Sequence, residues 1–280
     1  MVKRCVPAVV IPVYNAADDL ARCLQSVLGT VPAGAAVTVI DDASTDPAVE
    51  EVLRGFRQRT GADWTFEANR RNRGFVATAN RGFDMTEGDV VLLNSDTEVT
   101  TGWLQGLRRC LDSDPAIATA TPWTNNGEIV SLPRLCEANP VPPDRERVAA
   151  CIAAAGRPVY PELPTAVGFC MAVSRRAIDR IGRFDEARFG RGYGEENDFS
   201  MRALGAGMRN VLCDDVYVVH QGGRSFGPLG LKPGEESMRR LLEKHPDYLA
   251  LVEAFIATDP LAERRQAIIE ALERAAVPLG

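Results

Sequence analysis

Three acidic or polar clusters and one histidine carry the side chains of this sequence best suited to chemistry. Asp41, Asp42 and Asp46 follow the apolar run 36–40, and Asn94, Ser95 and Asp96 close the apolar run 90–93. Such residues serve as turn formers and helix caps. Asp96 stands where a carboxylate can also hold a hard divalent cation against phosphate. A second ligand must come from elsewhere, and His220 is the candidate. It ends an apolar stretch and precedes a flexible polar segment, 221–226, in which Arg224 is suited to a diphosphate. A satisfied structural histidine is the alternative. Glu195, Glu196 and Asp198 sit where a glycine-rich loop feeds a helix. Acidic residues favour a first helical turn, but clustered like charges also raise at least one pKa, which suits a general base. Arg202 lies at i+4 from Asp198, a spacing for an ion pair. That gives Asp198 an orienting or acceptor-binding role and leaves a glutamate as the base. His245, before Pro246, reads as a surface residue at a helix end.

The elements that must position these groups alternate. Apolar β-branched runs at 9–13, 36–40, 90–93 and 117–121 and a short strand at 64–68 are separated by helical periodicity at 18–28, 49–59, 75–83 and 101–113. This order predicts an α/β fold, a parallel sheet with helices on both faces, and ligands bind such sheets at the C-terminal ends of the strands. The segment 122–164 differs, holding 8 of the 18 prolines and one convincing helix, 144–155. Prolines at this density argue against central strands and suit a surface excursion over a site. Strands are expected again at 166–173 and 211–220, the latter with a turn or bulge at Asp214-Asp215. Short helices are expected at 175–181 and up to about 204. The tail from 235 to 276 reads as helix broken at Asp259-Pro260.

Composition excludes several classes. At 280 residues the chain can bury a sizeable core, and 45% hydrophobic with 25% charged residues argues against disorder. A net charge of -6 argues against a groove for nucleic acid, and two histidines cannot form a three-histidine metal site. The seven cysteines are scattered without a CxxC pair, as expected of reduced thiols in a cytoplasmic protein. No stretch is long and apolar enough to span a bilayer, which leaves peripheral contact with the inner membrane face open. No GxxxxGK[ST], GxSxG or HExxH motif occurs, and no GxGxxG follows the first strand.

The ordered set Val9-Val-Ile-Pro-Val-Tyr-Asn15, Ile40-Asp-Asp-Ala-Ser-Thr-Asp46, Asn72-Arg-Gly-Phe75 with Asn80 and Gly82, Leu92-Leu-Asn-Ser-Asp96 with Trp103, and Gly194-Glu-Glu-Asn-Asp198 followed by His220 resembles the inverting, family 2-like glycosyltransferases of GT-A fold. Within the family the sequence looks like the bacterial rhamnosyltransferase-type members, a branch that transfers rhamnose or other sugars. The resemblance covers roughly residues 7–226. It implies a nucleotide-sugar-binding half over 1–121, continuous with an acceptor-binding and catalytic half over 122–226. A helical extension then occupies 227–280. By the same resemblance Pro12, Tyr14, Asp41 and Asp42 would line the base and ribose, and Arg73 would bind base or diphosphate. Asn94, Ser95 and Asp96 stand for a DxD-like motif whose first position is Asn, so that manganese or magnesium would rest on Asp96, His220 and phosphate oxygens. Gly168-Phe169 would sit beside sugar and acceptor, and Trp103 would pack in the core. Glu196 matches the family's base, within a Glu-Glu pair that keeps Glu195 in view. The implied reaction moves a sugar from a UDP- or dTDP-linked donor to a hydroxyl of a glycan, lipid-linked or protein acceptor.

Three other readings compete. A non-catalytic nucleotide-sugar or glycan-binding module would have no need of Asp96, Glu196 and His220. A nucleotidyltransferase should carry an early glycine-rich basic loop, where this chain has Pro12-Val-Tyr-Asn15. An assembly subunit, or a homo-oligomer, would use the apolar groups of the C-terminal helices.

Overall fold

The computed structural model describes residues 6–222 and 235–279. In chain order the first elements are β1 (Ala8–Val13), α1 (Ala17–Thr30), β2 (Val37–Asp41), α2 (Pro47–Arg59), β3 (Trp64–Ala68), α3 (Phe75–Asp84) and β4 (Val90–Leu93). Next come β5 (Thr97–Glu98), α4 (Trp103–Ser113), β6 (Ile117–Trp123), a 3-10 turn at Glu128–Val130, α5 (Arg145–Ala154), β7 (Glu162–Leu163) and β8 (Cys170–Val173). The rest are α6 (Arg175–Ile181), α7 (Glu186–Phe189), α8 (Glu195–Gly205), β9 (Arg209–Tyr217), β10 (Val219–His220), α9 (Glu235–Lys244), α10 (Tyr248–Thr258) and α11 (Ala262–Arg274).

The main sheet has the order β3-β2-β1-β4-β8-β6-β9-β7, and β10 pairs separately with β5. The sheet is mostly parallel, not wholly so as the alternation predicted. β8 runs antiparallel to both β4 and β6, and β7 runs antiparallel to β9. The reason lies in the connection. β6 and β8 are antiparallel neighbours, and the proline-rich stretch between them carries α5 and travels to the far edge of the sheet, where β7 pairs with β9, before returning as β8. This reversal brings the residues entering β8 to the edge where β4 ends. Asn94 N donates to Phe169 O at 2.9 Å, joining the two strand ends directly.

Strand alternation divides the core. Val9, Ile11, Val13, Val91 and Leu93 face a cluster built with Leu20, Leu24 and Val27 of α1, Val49 and Leu53 of α2, and Trp103 and Leu107 of α4. Val10, Val90 and Leu92 face the opposite cluster, with Val76 and Phe83 of α3 and Phe199 of α8. Both faces are covered, as a mostly parallel sheet requires. The strand expected at 166–173 shortens to Cys170–Val173, and the lead-in residues instead line the cavity described below. The irregularity expected at Asp214-Asp215 is present: pairing steps from Pro122↔Cys213 to Trp123↔Tyr217. Asp214, fully buried there, accepts from Val159 and Tyr160 N–H groups and pairs with Arg264 Nε at 2.9 Å.

The tail breaks at Asp259-Pro260 as expected and also at His245-Pro246. Its helices complete both faces: Leu241 and Tyr248 join the α3–α8 side, whereas Leu261, Ile268 and Leu272 pack beside Val148 and Ile152 of α5. Among the described residues no helix is long and apolar enough to cross a membrane. Cys23, Cys110, Cys136, Cys151, Cys170 and Cys213 are free thiols.

Candidate active site

The C-terminal ends of β1, β2 and β4, the lead-in to β8 and the start of α8 surround a cavity of about 370 Å³. Pro12, Tyr14, Asp42, Asn94, Ser95, Asp96, Gly168, Glu195, Glu196 and His220 line it. Asp41 and Arg73 do not. Asp41 caps its own turn, accepting from Ser44 N at 3.0 Å and Ser44 Oγ at 2.6 Å. Arg73 pairs with Glu186 at 3.3 Å on the surface. Arg224 lies outside the described residues. Asp46 caps α2, accepting from Ala48 N at 3.0 Å.

Asp42 organises the nucleotide end. Its Oδ1 accepts from Asn69 Nδ2 at 2.7 Å and Arg73 N at 2.8 Å, and its Oδ2 accepts from Gly74 N at 2.7 Å. One carboxylate thus ties the turn after β2 to the loop that opens α3. Gly74 adopts φ 87°, and a Cβ there would lie 2.6 Å from the Arg191 Cα, so only glycine fits.

Asp96 and His220 meet at the centre. Asp96 is 5% exposed, and His220 Nε2 lies 3.6 Å from Asp96 Oδ2. The His220 ring stacks on Phe169, with centroids 5.2 Å apart. Its Nδ1 is 2.6 Å from the Asn126 carbonyl oxygen, which fixes Nδ1 as the donor and leaves the Nε2 lone pair facing Asp96. Burial opposes the imidazolium, but the hydrogen bond and charge of Asp96, with the Asn126 carbonyl, outweigh it and raise the pKa above 6.5. A carboxylate and a lone pair turned on one another suit a proton or a divalent cation, and a backbone-oriented histidine is the usual form of a metal-ligating one. Among the described residues no group of three or more His, Cys, Asp or Glu side chains could hold a metal ion.

The two glutamates differ from Asp198. Glu195 is buried and Glu196 half-buried, each with an Oε2 that lacks a hydrogen-bond partner. Burial, with backbone hydrogen bonds opposing it and the charge of Glu128 adding to it, pushes Glu196 up to about 7. Burial and the neighbouring Glu196 raise Glu195 well above the ordinary range. Gly168 lies beside Glu196: a Cβ placed on the glycine would stand 3.8 Å from Glu196 Oε1, an ordinary van der Waals contact. Asp198 is absent from the lining and fully buried. It pairs with Arg202 Nε at 2.8 Å, as the spacing predicted, and with Lys244 Nζ and His245 Nε2 at 2.7 Å each. Burial raises its pKa, but Lys244, His245 and Arg202 together hold it below the usual carboxylate value. His245 is therefore no surface residue; it anchors α9 to α8.

Sequence reasoning missed Glu128, Arg191, Tyr193, Met238, Leu241 and Tyr248, all in the lining. Glu128 has a left-handed φ of 51°, and the tail residues arrive by tertiary packing. No local pattern marks either.

Solved structures share the architecture. One of GalNAc-T7 with UDP, GalNAc and Mn2+ aligns at TM-score 0.65 and 17% identity over 97% of this chain, which spans only 55% of that one. A mannosyltransferase from Pyrobaculum calidifontis, PcManGT, with GDP-Man and Mn2+ aligns at 0.62 and 18% identity, over 98% and 76% of the two chains. S. aureus TarS, residues 1–349 with UDP-GlcNAc, aligns at 0.58 and 15% identity, over 98% and 82%. At these identities the likeness shows the GT-A fold. No curated protein is a significant match by sequence. The profile described as Glycosyl transferase family 2 matches residues 8–182, well over half of the chain, and the chain belongs to that family.

Proposed function

We propose that this protein is an inverting glycosyltransferase that moves a sugar from a nucleoside-diphosphate donor, UDP- or dTDP-linked, to an acceptor hydroxyl. A rhamnosyl or hexosyl donor and a glycan, lipid-linked or protein-linked acceptor are the expected classes. The observation that carries the reading is one cavity holding the Asp96–His220 pair and, beside Gly168, the raised carboxylate of Glu196. The family match and the nucleotide or nucleotide-sugar in each similar structure support it.

The residues divide the work. Pro12, Tyr14 and Asp42 shape the nucleotide end. Asp96 and His220 would hold Mn2+ or Mg2+, and a bound ion there would neutralise charge on the donor diphosphate. Glu196 accepts the proton of the acceptor hydroxyl, whose oxygen attacks the anomeric carbon opposite the departing diphosphate, so configuration inverts. A carboxylate near pKa 7 is a stronger base than an exposed glutamate and remains substantially ionised at neutral pH. Asp198 positions α8 and takes no part in proton transfer.

Binding of UDP-, dTDP- and GDP-sugars, each with and without Mn2+, tests the assignment. Preference for a UDP- or dTDP-sugar and dependence on the ion are expected. Binding indifferent to both nucleotide and metal would overturn it.

A further inference from the structure

The donor end of the cavity carries groups of both signs, Asp42 and Asp96 among them. Arg191 and His220 stand at the donor end: Arg191 donates to the Asn72 side-chain oxygen and its backbone lies against Gly74, while His220 faces Asp96. Beyond Gly168 the charged lining residues are Glu128, Glu195 and Glu196. Glu195 lines the cavity and is 5% exposed, yet its Oε2 has no partner, an unsatisfied acceptor suited to a ligand donor. Glu128 reaches the cavity from a left-handed backbone, the type of strained conformation that clusters at ligand-binding positions.

An apolar wall borders these acids. Met238 and Leu241 of α9, Tyr248 of α10 and Val167 line it. The wall is fixed to the start of α8: a Cβ on Gly194 would lie 3.8 Å from the Ser237 carbonyl oxygen, and Lys244 and His245 grip Asp198. The Tyr248 hydroxyl has its pKa raised by burial first, then by the charges of Glu196 and Glu128, which places the wall beside the acids.

We propose that this end is the acceptor subsite, and that it selects an uncharged pyranoside carrying an apolar aglycone. Sugar hydroxyls donate to Glu195 and Glu128, and the apolar side of the acceptor packs on Met238, Leu241 and Tyr248. A uronate or phosphate would bring a further charge beside Glu128 and a buried Glu195–Glu196 pair that already resists ionisation, with no cation beside them among the described lining residues at this end, so the site disfavours it. The proposal rests on the glycosyltransferase reading above.

Calorimetric titration with 4-nitrophenyl gluco-, galacto-, manno- and rhamnopyranosides tests it. The matching glucuronide and 4-nitrophenyl phosphate serve as anionic counterparts, all in the presence of Mn2+ and whichever of UDP, dTDP or GDP binds. At least one neutral pyranoside should bind tenfold or more tightly than either anion. Met238→Asp should weaken that binding about tenfold while nucleotide affinity holds, and Glu128→Gln should narrow the neutral-to-anionic ratio. Equal or tighter anion binding, absence of pyranoside binding while nucleotide binds, or no effect of Met238→Asp would overturn the proposal. Failure of the unaltered protein to bind any of the three nucleotides would overturn the glycosyltransferase reading itself, and the acceptor proposal with it.

Discussion

His220 and Asp96 are held 3.6 Å apart, with the imidazole Nδ1 committed to the Asn126 carbonyl and Nε2 turned to the carboxylate. Two acceptors in that geometry need something positive between them. His220→Ala should therefore lower nucleotide affinity in Mn2+ by about tenfold or more and leave metal-free affinity unchanged. Titration of the nucleotide with and without the ion reads both terms. Equal affinities for the variant and the unaltered protein in Mn2+ would sink the pairing.

In the proposed reaction Glu196 should set the pH dependence of transfer. Its pKa is raised from 4.5 to about 7, so the base form is lost as pH falls through 7 and not through 4.5. We expect kcat/KM to fall about tenfold per pH unit below roughly 6.5, with one proton controlling the limb. A profile flat down to pH 5.5 would remove Glu196 from that role.

The same burial destabilises the folded protein at neutral pH and above. A carboxyl whose folded pKa is raised contributes stability below its unfolded pKa of 4.5 and loses it as pH rises through about 7. Glu196→Gln should then gain roughly 1–3 kcal/mol at pH 8 and little at pH 4, while most transfer activity disappears. Urea titrations at the two pH values separate these outcomes. A variant less stable than the parent at pH 8 contradicts the expectation.

Asp198 is buried among Arg202, Lys244 and His245, so removing its charge leaves cations facing each other. Asp198→Asn should cost about 3–5 kcal/mol. Amide hydrogen exchange in α9 should accelerate well before that in α1 or α2. Uniform acceleration across the chain would mean that the cluster is not what fastens α9.

Much of this site was legible because it lies where buried apolar strands end in polar residues. Asp42 and Asp96 stand at such ends, and nonlocal pairing then gathers them, whereas Gly168 was pointed to only by the family resemblance and lies before β8 in a stretch expected to be strand. What each carboxylate does was less legible. Asp41 and Asp42 are neighbours of one type, yet one closes its own turn and the other holds a loop some thirty positions away. The i,i+4 pair of Asp198 and Arg202 is local and could be read, whereas Lys244 and His245 reach Asp198 only after α9 docks. The antiparallel entry of β8 was hidden for a similar reason, since alternation of strands and helices does not specify direction across a long proline-rich link. Tyr248 and Met238 belong to helices whose apolar residues gave no sign of which cavity they would wall.

The tail also bears on how the protein is made. Val148 and Ile152 of α5 are fully buried, and their cover includes Ile268 and Leu272 of α11. During synthesis these residues emerge from the ribosome more than a hundred positions before that helix does. Until then one layer of the core is unsealed, and the nascent chain exposes an adhesive surface. Substitutions that weaken α11 should therefore reduce soluble yield more than they reduce the activity of the molecules that do complete folding.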